Sequence, residues 1–271
     1  MITPIIRENM CIQAKIADSG QKAPLTGSNT GYSLVEMIVV IIIVAVLASV
    51  TMRSMRGATD VARTEETRQE LDRLAWAITG NPAMISGGTQ ISYGYIGDVG
   101  ALPDSLGALI VNPGGYSTWN GPYIQDKFTD GTGNTEYRID AWGQTYTYSG
   151  GITISSAGGG STITRELANS VANLLYNSVV VTIADLNHTP PGEDFSDSVR
   201  FVLTFPDGIG STTSTAKSPG SDGLVQFDSI PIGNHQLRMI YIPDNDTSVN
   251  FVRVNPGSLY YKELYFATDL W

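Results

Sequence analysis

The sequence predicts an α+β protein: a long N-terminal helix, transmembrane and then amphipathic, a small antiparallel sheet, and a separate all-β sandwich. Three observations carry this. The run GYSLVEMIVVIIIVAVLASV, Gly31 to Val50, is almost wholly apolar. Residues 52–79 continue at helical spacing, with no proline between Tyr32 and Thr79. Beyond residue 176, short β-like runs recur between Gly- and Pro-rich turns. The 271 residues carry a formal net charge of −10, with 42% hydrophobic and 15% charged residues, the balance of a folded chain rather than a disordered one. The acidic balance and the lack of a Lys/Arg cluster argue against a nucleic-acid partner. The single cysteine, Cys11, excludes an intrachain disulfide.

Residues 1–31 are mostly polar and end in TGSNTG. Tyr32 to Met52 spans about 21 residues, enough to cross a bilayer at ~1.5 Å per residue. Glu36 stands near the front of that run, and Met37 to Val50 carry no charge. A secretory signal peptide accounts poorly for the long polar front, the acid and the missing A-x-A site. A plain membrane anchor leaves Glu36 unexplained, because an intramembrane carboxylate is costly.

The hexad Gly31-Tyr-Ser-Leu-Val-Glu36, followed by the apolar run, resembles the N-terminus of type IV prepilins. In that family a polar leader ends in glycine, and a membrane-embedded peptidase cuts after it and methylates the new terminus. The resemblance implies cleavage between Gly31 and Tyr32, leaving N-methyl-Tyr32. Tyr stands for the commoner Phe and Ser33 for the commoner Thr. A new ammonium group in an apolar setting needs a counterion. Glu36 is suited to that role, and the resemblance implies pairing with the Tyr32 terminus of a neighbouring subunit.

The stem follows. Met52, Met55, Thr59 and Ala62 fall at helical spacing, as do Leu71, Leu74, Ala75 and Ile78. Glu65 with Arg68 and Glu70 with Arg73 populate a solvated opposite face. Gly57, just after β-branched Val50 and Thr51, marks the weakest helical stretch, where a locally stretched helix is expected. Gly80-Asn81-Pro82 stops the helix. Domain boundaries are expected at 1–31 (cleaved leader), 32–80 (helix, 32–52 in the membrane or filament core), 81–175 and 176–271.

Residues 93–148 contain STWNGPYI and DAWGQTYTY. These resemble the globular part of the major pseudopilin of type II secretion systems, through Trp119, Gly121, Pro122 and Tyr123, then Asp140, Trp142, Gly143 and Tyr146. The residues themselves read as turns passing close to aromatics, with Tyr137, Tyr146 and Tyr148 in strands of a small sheet over the stem. Aromatics so placed are expected to form core rather than a ligand box. The family also holds calcium in a late loop. Here that stretch, SSAGGGSTITRE, has no carboxylate before Glu166, and Asp126, Asp130 and Asp140 form no trusted motif, so no metal or cofactor is expected.

A short helix is read in TRELANSVANLLYN. Then come VVVTIAD, VRFVLTF, GLVQFDSI, HQLRMIYI, VNFVRV and YYKELYFAT, the rhythm of a β-sandwich. SDGLVQFDSIPIGNHQLRMIY resembles carboxypeptidase-regulatory-like, transthyretin-like modules through Asp222-Gly223 and Pro231-Ile232-Gly233. Such modules are non-catalytic, and the resemblance implies surface decoration or adhesion.

Catalytic signals are missing. His188 and His235 lie in no metal spacing. No nucleophile elbow or phosphate-cradling loop is present, and Glu193, Asp194 and Asp197 read as a solvated loop, so no enzyme is expected. The expectation is a structural subunit of a type IV pilus-like filament, packed head to tail as a homopolymer. Its partners would be the prepilin peptidase/methyltransferase, the assembly platform and motor, and the bacterial inner membrane before export to an extracellular pilus. A major pseudopilin of a periplasmic pseudopilus, and a monomeric membrane-anchored binding protein, are the alternatives.

Overall fold

The computed structural model describes residues 31–125 and 136–271. The expected leader before Gly31, with Cys11, and the acids Asp126 and Asp130 lie outside the described residues. Two compact units are distinguished, one ending at Arg53 and the other comprising Ser54–Trp271. In the first, every residue from Gly31 to Arg53 is exposed.

Helix α1 spans Leu34–Thr79, 46 residues. It starts at Leu34 rather than Tyr32, because Ser33 caps it: the Ser33 hydroxyl accepts the Glu36 N–H at 3.2 Å. In the single subunit it is helical throughout Val50–Gly57, the stretch where local extension is expected in a filament. The β-branched hydroxyls that weaken helices here bond back onto it, Thr51 to the Leu47 carbonyl and Thr59 to the Met55 carbonyl, each at 2.9 Å. Gly80 ends α1 in the left-handed region at φ +85°, and its N–H bonds the Trp76 carbonyl at 2.8 Å.

In the second unit, Thr67, Leu71, Leu74 and Ile78 form one buried stripe of α1, at spacings of four, three and four. Leu71, Leu74 and Ile78 pack with Tyr95, Ile96 and Val99 of a short helix α2 (Gly94–Val99), and with Leu109, Tyr146, Ile154 and Leu174. A two-residue pair, β1 (Ile85–Ser86) and β2 (Thr89–Gln90), precedes α2.

The small sheet over the stem differs from the expected one. It consists of β3 (Thr153–Ser156) paired antiparallel with β4 (Ile163–Glu166). Tyr137 lies in a 3₁₀ turn, Glu136–Arg138, and Tyr146 and Tyr148 sit beside isolated bridges, Ile139 with Thr145 and Thr147 with Ser155. Residues 164–166, read from sequence as helical, are strand because β3 supplies a hydrogen-bonding partner. The helix that follows, α3, is only Val171–Leu175, capped by Ser170, whose hydroxyl accepts the Asn173 N–H.

The remaining chain is a sandwich of two sheets. One has the order β10-β9-β6-β7, from β6 (Val199–Pro206), β7 (Thr212–Lys217), β9 (Gly233–Tyr241) and β10 (Asp246–Val254). The other has the order β11-β5-β8, from β5 (Asn177–Ala184), β8 (Leu224–Ile230) and β11 (Leu259–Tyr265). All neighbours are antiparallel except β11 with β5. Alternate residues point inward: Val179, Val181 and Ile183 of β5 meet Val199, Phe201 and Leu203 of β6, with Phe227, Leu237, Met239 and Val252 filling the space. The β7 strand was not read from the sequence. TTSTAK has no apolar alternation, and its side chains are mostly exposed at the sheet edge.

The two cores of this unit are joined by backbone. Ile232, fully buried in the turn before β9, belongs to the stem core, and its N–H bonds the Leu174 carbonyl at 2.9 Å. Gly208 bonds the Val99 carbonyl at 2.9 Å, and Ser117 bonds that of Gly210 at 2.8 Å. His235, buried beside this turn, pairs its Nε2 with the Pro231 carbonyl at 2.8 Å, and burial pushes its pKa below the usual histidine value.

Candidate functional site

The first candidate region is the start of α1. Tyr32 is 76% exposed, and a side chain at Gly31 would meet nothing within 4 Å. Ser33 is the N-cap, which makes Glu36 the third residue of the first turn. The segment S-L-V-E therefore has the capping-box spacing, and its acid lies near the positive end of the helix. This gives Glu36 a physical reason for its position that is independent of the counterion role expected from the sequence. The S-x-x-E spacing was legible in the sequence and went unread. From Leu34 to Val50 the large apolar side chains are 47–76% exposed over all faces of the helix. An all-round apolar helix in this state is one made to be covered by lipid or by other helices. It is long and apolar enough to cross a membrane.

The second region gathers the motif aromatics. The Trp119 indole donates to the Ala108 carbonyl at 2.9 Å, and its ring meets Tyr123 edge-on at 5.6 Å. A Cβ on Gly121 would come within 2.4 Å of the Trp119 ring, so only glycine fits there, and Pro122 follows in cis. Tyr123 reaches back across 25 residues, its hydroxyl donating to Asp98 at 2.8 Å, and packs edge-on against Tyr95 at 5.8 Å.

Asp140 lies 4% exposed and organises the second motif. One carboxylate oxygen accepts the N–H groups of Trp142 and Gln144, each at 2.9 Å. The other accepts the Ser156 hydroxyl and the Gly158 N–H. Gly143 makes the turn at φ +81°. Tyr146, 5% exposed, donates to Glu70 on α1 and so ties the motif to the stem. The stretch in which the resemblance implies a calcium loop is thus where Ser156 and Gly158 donate to Asp140.

The electrostatics fit structural roles. Burial, then the hydrogen bond to Glu70, pushes the Tyr146 pKa up, and burial foremost does the same at Tyr123. Both phenols are hydrogen-bond donors across the ordinary pH range. Burial raises the Asp98 pKa, opposed by the Tyr123 hydroxyl. Asp98 and Glu70 are the partners that sequence reasoning missed. Their signal is a contact distant in sequence, which no local pattern announces. Among the described residues no group of three or more His, Cys, Asp or Glu side chains is placed to hold a metal.

Fold and site together define a class: a long helix, apolar in its first half, heading an α+β body. No family model matches the chain. Over 127 residues it is 28% identical to "Type II secretion system core protein G" of Xanthomonas campestris pv. campestris, a match covering 46% of this chain and 79% of that protein. This homologue supports a place among pilin- and pseudopilin-type proteins. Two solved structures also match at 12% identity. One is the dioxygenase domain of a dioxygenase–carbohydrate-binding protein fusion from Streptomyces sp. SirexAA-E, covering 38% of this chain and 86% of that one, with a TM-score of 0.29. The other is BcpA, the major pilin subunit of Bacillus cereus, covering 44% of this chain and 37% of that one, with a TM-score of 0.23. Superpositions as loose as these carry no argument about this chain.

Proposed function

We propose that the chain is a structural subunit of a type IV pilus-like filament, cut after Gly31 and polymerised through its apolar helix. The observation that carries this is the first half of α1, apolar and exposed on every face, with Glu36 in its first turn. In the bilayer lipid covers that surface; in a filament, the same half of neighbouring subunits does. Moving from one to the other loses little hydrophobic energy, so helix packing and ion pairing decide the polymer. The N-methyl-Tyr32 ammonium pairs with Glu36 of a neighbour. Contacts between subunits are head to tail, which generates an open helix rather than a closed ring. The sandwich, resembling transthyretin-like modules, decorates the fibre surface, and the chain has no enzymatic role.

A major pseudopilin of a type II secretion system is the second reading. The relative's name and the Trp119–Tyr123 and Asp140–Tyr146 motifs favour it. The added sandwich favours a surface fibre, since a periplasmic piston leaves little room for decoration. Mass spectrometry on filaments sheared from cells separates them. Abundant peptide beginning at N-methyl-Tyr32 in the sheared fraction supports the pilus, and the same terminus confined to membranes supports the pseudopilus. An uncut leader overturns both. A Glu36→Ala chain should be processed and inserted yet fail to polymerise; unchanged behaviour would favour a monomeric membrane-anchored binding protein.

A further inference from the structure

Three aspartates of this protein make the same turn, with one carboxylate oxygen accepting the N–H groups two and four residues on. They are Asp140 (to Trp142 and Gln144), Asp185 (to Asn187 and Thr189) and Asp207 (to Ile209 and Ser211), with all six bonds at 2.9 Å. The turn alone needs no ligand. What differs is the second oxygen. At Asp140 it accepts from Ser156 and Gly158. At Asp207 the residue is partly exposed and water can reach it. At Asp185 the residue is 0% exposed and the second oxygen, Oδ2, has no hydrogen-bond donor.

A second carboxyl group, that of Asp269, lies against this side chain. The Phe266 N–H bonds the Ala184 carbonyl at 3.0 Å, and the Leu186 N–H bonds that of Thr268 at 3.2 Å. Further along, the Trp271 indole bonds the Thr189 carbonyl at 2.8 Å. Asp269 is pinned between these ties, its side chain against that of Asp185. Two carboxylates in contact, one buried without a donor, repel unless a positive charge lies between them.

We propose that Asp185 and Asp269 hold a calcium ion where the end of β5 meets the segment after β11. The donor set is all oxygen, which suits a hard cation. His188, the nearest imidazole in sequence, instead packs its ring edge-on against Tyr265 at 4.7 Å. With two protein carboxylates, the remaining positions fall to carbonyls and water. Calcium tolerates such an irregular shell, whereas magnesium demands near-octahedral ligands. Two carboxylates set a weak site, with a dissociation constant of about 0.1–1 mM, the range of extracellular modules. The ion would clamp the last residues of the described chain onto the sandwich.

The test uses the full chain in detergent micelles, washed with EDTA and then titrated with calcium chloride. We expect a saturable rise in the thermal unfolding midpoint with a half-point of about 0.1–1 mM, and no comparable rise with magnesium. Terbium should give luminescence sensitised through Trp271 and displaced by calcium. Asp185→Asn removes a buried turn residue and can fail to fold for that reason. The decisive variant is therefore the exposed Asp269→Asn, which should weaken the calcium effect at least tenfold. No calcium-dependent shift in the wild type, or an equal shift in Asp269→Asn, overturns the proposal. So does a calcium-indifferent wild type that Asp269→Asn stabilises in EDTA, the result expected if the two carboxyls share a proton instead.

Discussion

The two halves of α1 obey different rules. From Leu34 to Arg53 every side chain is exposed, and the apolar ones circle the whole helix. From Thr67 to Thr79 one apolar stripe is buried, with Leu71 at 1%, Leu74 at 2% and Ile78 at 0% exposure, while Trp76 on another face is 36% exposed. The second half is amphipathic because one face meets a core within its own chain and the other meets water. The first half is exposed at every residue, and no polar face marks a side meant for water. The difference teaches that apolar residues alone do not report a core. Their angular distribution separates a helix that packs on its own chain from one that waits for a partner outside it.

The sharpest way to break this comparison is to delete methyl groups from each half. Ile78→Ala should cost about 2–5 kcal/mol in denaturant unfolding of the detergent-solubilised chain. Ile43→Ala should change that stability by no more than ~0.5 kcal/mol, while reducing filament yield. Equal costs at both sites would mean the first half is buried within the monomer after all.

The next effect concerns how the buried half is tied down. Tyr146→Phe removes a hydroxyl donated to a carboxylate on α1, and should cost about 1.5–3 kcal/mol in the same unfolding measurement, the range for hydrogen bonds to charged groups. Ile43→Ala serves as its control. A smaller, local effect is expected at the other end. Ser33→Ala should cost about 1 kcal/mol of helix stability, visible as faster amide exchange in the first turn of α1 and nowhere beyond Gly57. Spread of that change into the residues near Thr67 would show the two halves to be more tightly coupled than their burial suggests. Smallest of all is the surface ion pair of Asp72 with Arg165 at 2.8 Å, in which both side chains are over 40% exposed. Arg165→Ala should cost no more than about 1 kcal/mol, shrinking as salt is raised.

How much of the molecule was legible in the sequence depends on where each signal resides. The helix was legible because its period and its proline-free length are local. The inward residues of β5, β6, β8 and β9 were legible because buried strands alternate. The β7 strand was not, since an exposed edge strand needs no apolar residues. Residues 164–166 were misread as helix, because the partner that makes them strand, Thr153–Ser156, adjoins them only through the Gly158–Gly160 turn. At the candidate site, Tyr32, Ser33 and Glu36 lie within one helical turn, so their relation could be read directly, although the cap itself was passed over. Trp119, Tyr123 and Asp140 were visible as motif residues, but their partners Ala108, Asp98 and Gly158 were not. Those bonds close loops of 11, 25 and 18 residues, which local pattern does not encode.

The sequence by itself determined the long apolar helix. Composition and period suffice to specify a helix that is apolar on every face, because hydrophobic surface and backbone periodicity are properties of neighbouring residues. Only the tertiary structure decided that Ile232 belongs to the stem core, that Asp140 spends both oxygens on donors up to 18 residues away, and that Asp185 keeps one buried without any. Each of these is the outcome of segments meeting in space, where a carboxylate's cost depends on which donors the fold happens to bring within about 3 Å.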